Sequence, residues 1–501
     1  MAFGIALVIA VGAVLGGILL AARGVRMDVS EWSVGGRRLG TGLFWFLLVG
    51  ETFTTFALLG ASQGVVSGGA PGCYILGTVV LSAAVGYWVV PRIWQAGKNH
   101  GLLTMGDYFT QRFSSPWFGR VIALFGIIAL LLYAQVQLTA LGLILQNLLG
   151  FNVSPTVYLV SGAVAAALFV LAGGIRSAAL VAAAKDVLLV LALLVIAIGA
   201  ARAAGVSSAA GVFDTAARRY PSAATLPGIG GSAATNLWWW MSFLVLTPAS
   251  FALPHMFQVA FSAKNAATIR RNQVIQPIYS LFYVAIIYIA YAALIILPRA
   301  SSASAANQSL LTFVHGHFPP FVIGLLAGTG ILVALVPTAV MIVAATSLLT
   351  RNVLGGDTRR WGSSLLAPRI GVLAFTALAV LLSLRGGERL LTVMTNMYST
   401  VGQLAPAVIL SMIWRRVTAA ALAAGVVCGG LIVAVHPLGE LALKPFPAGT
   451  VVGIPALLVN VLVVVAVTAV TRAPSAEAIE VGMPSAAPGP GPAADESPVL
   501  G

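Results

Sequence analysis

The sequence predicts an all-α membrane protein that crosses the bilayer about thirteen times, and composition, span length and charge distribution together predict it. Of the 501 residues, 59% are apolar and only 8% are charged, whereas soluble domains carry roughly 25% charged residues. Apolar stretches of about 20 residues, which cross roughly 30 Å of hydrocarbon, recur along the chain. Lys and Arg alternate between rich and poor connecting segments in the way that polytopic membrane proteins require.

Thirteen stretches are apolar enough to be spans. They lie near residues 3–22, 40–66, 71–91, 118–148, 155–173, 180–201, 235–260, 276–298, 320–349, 366–384, 391–413, 417–435 and 449–471. The first stretch lacks the basic segment that begins a signal peptide, so we expect a mature helix there.

The distribution of basic residues predicts the orientation. With the N-terminus outside, twenty of the 27 Lys and Arg residues fall on the cytoplasmic side and seven on the other, as the positive-inside rule requires. The C-terminus is then cytoplasmic. The net charge of +14 therefore reflects short loops, and we expect no nucleic-acid partner. Cys73 and Cys428 lie far apart in or beside apolar segments and indicate neither a disulfide framework nor a metal site.

The first interrupted span gives the main indication of a functional site. Residues Gly50 to Gly60 combine small, polar and aromatic side chains with one carboxylate, Glu51. Such a segment predicts a helix broken near the midplane, because non-helical backbone at that depth is tolerated only where it lines a cavity or meets protein. An ionisable residue inside a span points to the same kind of site. The alternative is that Glu51 only hydrogen-bonds a neighbouring helix.

A second interrupted span follows near residues 238–261. Pro248 and Pro254 each remove a helix hydrogen bond and disfavour helical geometry just before them. Each interrupted span opens a block of five spans, so the two blocks have opposite orientations, as inverted repeats require. The alternative is two unrelated proline kinks.

The predicted organisation has five parts. They are an extra N-terminal helix (1–23), a first inverted repeat of five helices (39–203), a second (235–414), two C-terminal helices (415–472) and a Pro/Ala/Gly-rich cytoplasmic tail expected to be disordered (473–501).

Short motifs between about residues 30 and 420 give the chain its family resemblance. In order, they are Gly35-Gly36-Arg37-Arg38-Leu39-Gly40, Pro91-Arg92, Thr104-Met105-Gly106-Asp107-Tyr108-Phe109, Arg112-Phe113, Gly173-Gly174-Ile175-Arg176, Lys185-Asp186, Pro254-His255 with Gln258, and Ser347-Leu348-Leu349-Thr350-Arg351-Asn352. In their order and spacing, these motifs resemble the solute:sodium symporter family. The resemblance implies a leucine-transporter-type fold in the cytoplasmic (inner) membrane and symport of a small organic solute with sodium.

A second set of motifs is similar to that of bacterial monocarboxylate permeases within this family. These motifs are Gly50-Glu51, Leu59-Gly60-Ala61-Ser62, Gly69-Ala70-Pro71, Tyr74-Ile75-Leu76, Ser115-Pro116-Trp117 and Arg270-Arg271-Asn272. The similarity implies uptake of lactate, pyruvate, acetate or propionate. Another small solute, such as an amino acid, is the alternative.

The expected ion site departs from the family pattern. Family members carry a Ser/Thr pair in the ninth span, where this chain has Pro337 and Thr338. Thr338, a carbonyl freed by Pro337, and carbonyls near Thr54 to Ala57 are the candidate sodium ligands. The alternative coupling ion is a proton carried by Glu51 or Asp186.

Asp186 is also the residue to which the resemblance assigns an ion-exit role. The alternative is a local ion pair with Lys185 at the cytoplasmic interface.

The expected substrate is a small organic anion bound at the midplane. Its carboxylate would lie at half-helix N-termini near Thr54 and Ser250, where free N–H groups and the helix dipole favour negative charge. The candidate substrate-binding residues are Glu51, Thr54, Thr55, Phe56, Tyr133, Gln137, Thr247 and Ser250.

Other functional classes fit the sequence less well. A membrane enzyme would need a catalytic constellation, and the sequence shows none, so we predict no enzymatic activity and no organic cofactor. A receptor of the same fold that does not transport is the remaining alternative. The expected partners are the lipid bilayer and the solute, and the protein is expected to be a monomer or a loose homo-oligomer.

Overall fold

Helices form the architecture of the chain. The computed structural model describes residues 1–23, 28–150, 153–300, 302–355, 366–385 and 389–474. Its α-helices are α1 (Ala2–Ala22), α2 (Val29–Val34), α3 (Thr41–Thr52), α4 (Ala61–Gly68), α5 (Ile75–His100), α6 (Met105–Phe113), α7 (Pro116–Leu149), α8 (Pro155–Ala203), α9 (Ala209–Arg219), α10 (Ala233–Leu246), α11 (Pro254–Ser262), α12 (Ala266–Tyr279), α13 (Leu281–Ile296), α14 (Ala303–Asn307), α15 (Ser309–His317), α16 (Pro320–Ser347), α17 (Leu366–Leu384), α18 (Leu390–Gly402), α19 (Ala405–Ile413), α20 (Ala419–Ala434), α21 (His436–Leu443) and α22 (Gly453–Val470).

Tighter or wider helical turns join several of these helices. Gly35–Arg37, Ala70–Tyr74 and Thr247–Ala252 are 3-10 turns, whereas Phe56–Gly60 and Leu348–Val353 are π-helical. The predicted tail lies, from residue 475 onward, outside the described residues.

The all-α prediction is confirmed. Within the described residues, eight helical segments are long and apolar enough to cross a membrane, and eleven are if each bent pair counts as one span. The predicted spans 155–173 and 180–201 both lie within α8, in which two helical segments meet at a kink at Gly174. The exact count of thirteen and the outward N-terminus stay predictions.

Both predicted interruptions are present. At the first interruption, the axes of α3 and of the segment Phe56–Gly68 form a bend of 48°. At the second, the segment Ala234–Ala252 and α11 form a bend of 54°. Phe53 leaves the helical region at φ −91°, ψ 82°. In the second pair Leu253 is extended (φ −66°, ψ 130°), because the residue before a proline disfavours helical geometry.

The second half-helix therefore begins at Pro254, four residues after the predicted N-terminus near Ser250. Pro248 lies inside a 3-10 turn without ending it.

α16 forms the centre of the bundle. The most apolar 18-residue stretch of Pro320–Val353 is 94% buried inside the bundle. α16 packs against α1, α7 and α8. A helix that is apolar on every face is stable only when protein or lipid surrounds it completely. This buried helix supports the two interrupted spans through its contacts with α3 and α11.

A polar network joins two of the sequence motifs on the predicted cytoplasmic side. Asp107 accepts hydrogen bonds from Arg351 Nε (3.2 Å) and Asn352 Nδ2 (2.9 Å), and Thr104 donates to Asn352 Oδ1 (2.7 Å). Nearby, Arg37 donates to the Leu102 carbonyl, and burial lowers the pKa of this guanidinium below its ordinary value. The network ties α6 to the end of the central helix.

The bend in α8 depends on one glycine. Gly174 has φ +59° and ψ −159°, a region that is essentially restricted to glycine. A Cβ atom there would lie 2.6 Å from the Trp32 carbonyl oxygen and 2.8 Å from its Cδ1 atom. Both the backbone conformation and the contact therefore exclude a side chain.

We predict that Gly174→Ala lowers the free energy of unfolding by at least about 2 kcal/mol, from backbone strain and the clash with Trp32. The measurement is the apparent Tm of the detergent-solubilised protein. Gly16→Ala is the matched control, because a Cβ at Gly16 meets nothing within 4 Å. Equal Tm values for the two variants would contradict this account of the bend.

Candidate functional site

A cavity of about 90 Å³ lies between the two interrupted spans. Side chains from α3, α5, α7, α12, α13 and α18 complete its wall. Its polar residues are Glu51, Thr52, Thr54, Thr78, Ser82, Tyr133, Thr247, Ser250, His255, Gln273, Gln276, Tyr283 and Tyr398. Polar groups in a partly open cavity at a helix break suit a small polar solute.

Six of the eight predicted substrate-binding residues line this cavity: Glu51, Thr54, Phe56, Tyr133, Thr247 and Ser250. They come together because both breaks face the same space. Their role in binding stays a prediction.

The other two predicted residues, Thr55 and Gln137, lie behind the wall. The backbone N–H of Thr55 donates to Gln137 Oε1 at 3.3 Å, and the Thr55 hydroxyl bonds to the same oxygen. Gln137 thereby accepts from the start of the second half-helix, where N–H groups lack helical partners. The geometry gives both residues a role in holding the break.

Glu51 contacts the second interrupted span. Its Oε2 atom lies 3.3 Å from His255 Nε2, and both side chains are 1% exposed. The Tyr133 and His255 ring centroids are 5.8 Å apart. His255 thus connects the carboxylate of one broken helix to the other broken helix.

Gln273 and Gln276 were not among the predicted site residues, yet both line the cavity from α12. Gln276 Nε2 donates to the Thr52 hydroxyl at 2.7 Å. Residues three apart share one helix face, so a Gln-x-x-Gln pattern in an apolar span could have indicated this wall.

Lys185 and Asp186 are buried deep in the bundle rather than at the predicted interface. Lys185 Nζ lies 2.8 Å from Asp186 Oδ1, and their side chains are 0% and 1% exposed. The same ammonium donates to the carbonyl oxygens of Gly50 (3.2 Å) and Phe53 (3.1 Å). The expected ion pair exists, but at the first helix break.

Lys185 is consequently not a loop charge. Removing Lys185 from the count leaves nineteen basic residues on the predicted cytoplasmic side and seven on the other side. The predicted orientation therefore still agrees with the positive-inside rule. The exit role of Asp186 stays a prediction.

Of the predicted sodium ligands, Thr54 lines the cavity, whereas Ala57, Pro337 and Thr338 are buried outside its lining. Ala57 lies in the π-helical turn after the break, whereas Pro337 and Thr338 lie inside α16. The Thr338 hydroxyl donates to the Ala334 carbonyl at 2.7 Å. Pro337 has no N–H, which frees a carbonyl one turn earlier.

Two interrupted spans that meet at a cavity with polar side chains in its wall are typical of one class of protein, the secondary transporters. Comparison with known proteins identifies the family. The sodium:solute symporter family model matches residues 32–429. An uncharacterized symporter of Bacillus subtilis (strain 168), YhjB, is 31% identical over 490 residues, covering 93% of this chain and 97% of YhjB. The chain belongs to the sodium:solute symporter family.

More distant relatives agree with this membership. A monocarboxylate transport permease of Rhizobium johnstonii is 26% identical over 330 residues, covering 65% of this chain and 64% of the permease. The family and these relatives are transporters, not enzymes. The protein is a multi-pass membrane transporter, and its bacterial relatives are consistent with the inner membrane.

Solved structures show the same fold. A Na⁺-coupled sialic acid symporter in a substrate-bound outward-open state superposes with a TM-score of 0.74 at 13% identity, covering 95% of this chain and 98% of that protein. The nucleobase–cation symporter Mhp1, closed with bromovinylhydantoin bound, superposes at 0.56 and 13% identity, covering 91% and 98%. The leucine-transporter-type fold is thereby confirmed.

We predict that Gln137→Leu destabilises the protein by about 1–3 kcal/mol, because the Thr55 N–H and hydroxyl lose their shared acceptor. The apparent Tm in detergent measures the effect. Gln135→Leu is the control, since this neighbouring glutamine is 8% exposed and makes no hydrogen bond among the described residues. An equal loss for both variants would show that the bond to Thr55 contributes nothing specific.

Proposed function

We propose that this protein takes up a small monocarboxylate, such as lactate, pyruvate, acetate or propionate, by cation-coupled symport. The cavity between the two helix breaks is the observation that carries the proposal. Family membership supports sodium as the coupling cation. The similarity to the Rhizobium permease supports a monocarboxylate.

The size of the cavity favours a small solute. One enclosed water needs roughly 10–15 Å³ on the same measure, so about 90 Å³ holds six to nine groups of that size. Lactate and pyruvate, with about six non-hydrogen atoms each, are compatible with such a space.

The charges around the cavity require a cation when an anion binds. Among the described lining residues Glu51 is acidic and none is Lys or Arg. A carboxylate that enters beside Glu51 places two carboxyl groups together in a poorly solvated site, where two negative charges are strongly unfavourable without compensation. A co-transported cation supplies that compensation, so binding of the anion depends on the cation.

The helix breaks supply the polar groups that orient the anion. The second half-helix of the first broken span begins just after Thr54, and α11 begins at Pro254 beside the cavity. Helix N-termini favour negative charge. Rocking of one repeat against the other around this site would expose it to each side in turn.

A proton is the second candidate for the coupling ion, and Lys185 is the observation that favours it. Its ammonium already contacts the carbonyls at the first break. Unwound carbonyls of this kind coordinate sodium in transporters of this architecture. Because Lys185 already bonds these two carbonyls, they are not free to bind sodium at the same time.

Transport itself is tested with purified protein in liposomes that contain no other carrier. We expect accumulation of labelled lactate, pyruvate or acetate when a cation gradient is imposed, with sodium and proton gradients applied separately. Empty liposomes are the control for passive permeation of the neutral acids. Absence of uptake and of exchange for every acid under both gradients would refute the monocarboxylate proposal.

We also predict that Glu51→Gln reduces coupled uptake at least about tenfold, the effect of 1.4 kcal/mol, because it removes the charge that faces His255 and the coupling cation. Initial uptake rates in liposomes measure the change. Glu440→Gln is the matched control, because the Glu440 side chain is 66% exposed on α21. Normal uptake by Glu51→Gln would remove this carboxylate from the mechanism.

A further inference from the structure

A second polar cavity, of about 360 Å³, lies at the other end of the two interrupted spans. Its wall consists of residues from the stretches 63–72, 229–239 and 389–395, together with Gly449. Each of these stretches borders a connection that the distribution of basic residues places outside. We call this space the outer cavity, and the space beside Glu51 the central cavity.

The same spans line both cavities at different depths. α18 contributes Thr392 to the outer cavity and Met397 to the central one. The second interrupted span contributes Trp239 to the outer cavity and Thr247 to the central one. Eight helical residues rise about 12 Å. The two cavities therefore follow one another along the same spans.

A row of aromatic rings lies between the two cavities. The ring centroids of Trp239 and Phe243 are 4.6 Å apart, and those of Phe243 and Tyr398 are 6.1 Å apart. Tyr74 packs against this row, 5.0 Å from Trp239. Trp239 lines the outer cavity and Tyr398 lines the central cavity. A solute in the outer cavity thus reaches the central one only when this aromatic layer moves apart.

Arginine gives the outer cavity its charge. Among the described residues of the wall, Arg389 is positively charged and none is Asp or Glu. Its guanidinium has no hydrogen bond or ion pair within the described part of the chain. A second guanidinium lies at the edge, where Arg299 Nη2 donates to the carbonyl of the lining residue Ser67 at 3.5 Å. Both charges are available to an anion that enters.

The two cavities differ in charge. The connections that are predicted to lie outside carry seven basic residues and three acidic ones, Asp214, Glu388 and Glu440. Asp214 and Glu440 are not part of the wall of the outer cavity, and Glu388 lies outside the described residues. The described wall of the central cavity instead contains Glu51 and neither Lys nor Arg. An anion is therefore attracted to the outer cavity without a cation, whereas the central cavity requires one.

A buried amide adds a second donor to the outer cavity. Gln63 lines it and is 1% exposed. The backbone N–H of Leu391 donates to Gln63 Oε1 at 3.3 Å, and Gln63 Nε2 makes no hydrogen bond among the described residues. A carboxylate only accepts hydrogen bonds, and the planar guanidinium fork matches its geometry. Because the outer cavity has four times the volume of the central one, it has room for a carboxylate that keeps part of its hydration.

We propose that the outer cavity is a separate binding site for organic carboxylates, at which Arg389 captures the anion before the aromatic layer opens. Binding at this site needs no coupling cation. The inference rests on the monocarboxylate symport proposed above and adds the step by which the acid enters.

The first test measures the charge of the outer cavity without a substrate. Thr392, which is exposed in the wall, is replaced by Cys in a Cys73→Ser, Cys428→Ser background. Impermeant methanethiosulfonate reagents that carry a sulfonate or an ammonium group are then applied to right-side-out vesicles. We expect Arg389→Gln to lower the sulfonate-to-ammonium rate ratio about tenfold, since a unit charge roughly 6 Å away changes each rate about threefold in water.

Arg385→Gln is the matched control, because Arg385 is exposed in the same connection but is not part of the described wall. Its rate ratio should equal that of the parent protein. An unchanged ratio in Arg389→Gln would refute the role of this charge. Failure of the impermeant reagents to reach Thr392→Cys would place the cavity on the other side and overturn the entry step.

The second test identifies the ligand. In the absence of sodium, potassium lactate should slow sulfonate labelling of Thr392→Cys at least about threefold more than potassium chloride at equal ionic strength, because the carboxylate occupies the cavity. Arg389→Gln should abolish this difference. Equal slowing by both salts would mean that the ions only screen the charge, and would overturn the carboxylate site.

The third test is transport. In right-side-out vesicles Arg389→Gln should raise the KM for lactate about threefold at roughly 0.01 M ionic strength with an unchanged maximal rate, because the local concentration of the anion falls. The difference should shrink at about 0.15 M, where the Debye length is about 8 Å. Normal transport with an unchanged KM would overturn the entry step and leave the symport proposal intact. If the wild type transports no acid, the symport proposal fails and the two labelling tests decide on the anion site.

Discussion

The peptide groups released at the first helix break are the constraint on which the rest of the structure depends. In hydrocarbon an unpaired N–H or C=O group costs several kcal/mol. Side chains from three other helices, Lys185 on α8, Tyr283 on α13 and Gln137 on α7, bond the groups of residues 50–55. One irregular turn therefore ties α3 to α7, α8 and α13. Any rearrangement at this turn has to involve those helices as well.

The same break concentrates the charges of the interior. The chain has only 13 Asp and Glu residues, yet Glu51 and Asp186 are both buried beside it. Lys185 offsets one of these charges, and His255 brings the second interrupted span to the other. Under the proposed function, an anionic solute that enters this region would change its charge balance and so link solute binding to the binding of a cation.

The parts of this architecture that depend on local chemistry were predictable. Hydropathy located the spans, and the Pro254 pattern located the second break, because each can be recognised in one contiguous stretch of the chain. The sequence predicted less accurately how deep a residue lies in the bundle and in which direction a helix runs. The start of the second half-helix moved from Ser250 to Pro254, since a 3-10 turn absorbs Pro248. Lys185 was assigned to the interface because hydropathy does not show how α8 is bent at Gly174.

By itself, the amino-acid sequence determined that this is a multi-pass symporter with two interrupted spans, and it identified six of the residues that line the cavity. Only the tertiary structure decided which side chains meet at the breaks. Lys185 reaches carbonyls 135 and 132 positions away in the chain, and Gln137 reaches Thr55 from 82 positions away. Such contacts depend on the rotation and depth of each helix in the bundle. Those quantities are set by packing among many helices, and no local pattern of residues encodes them.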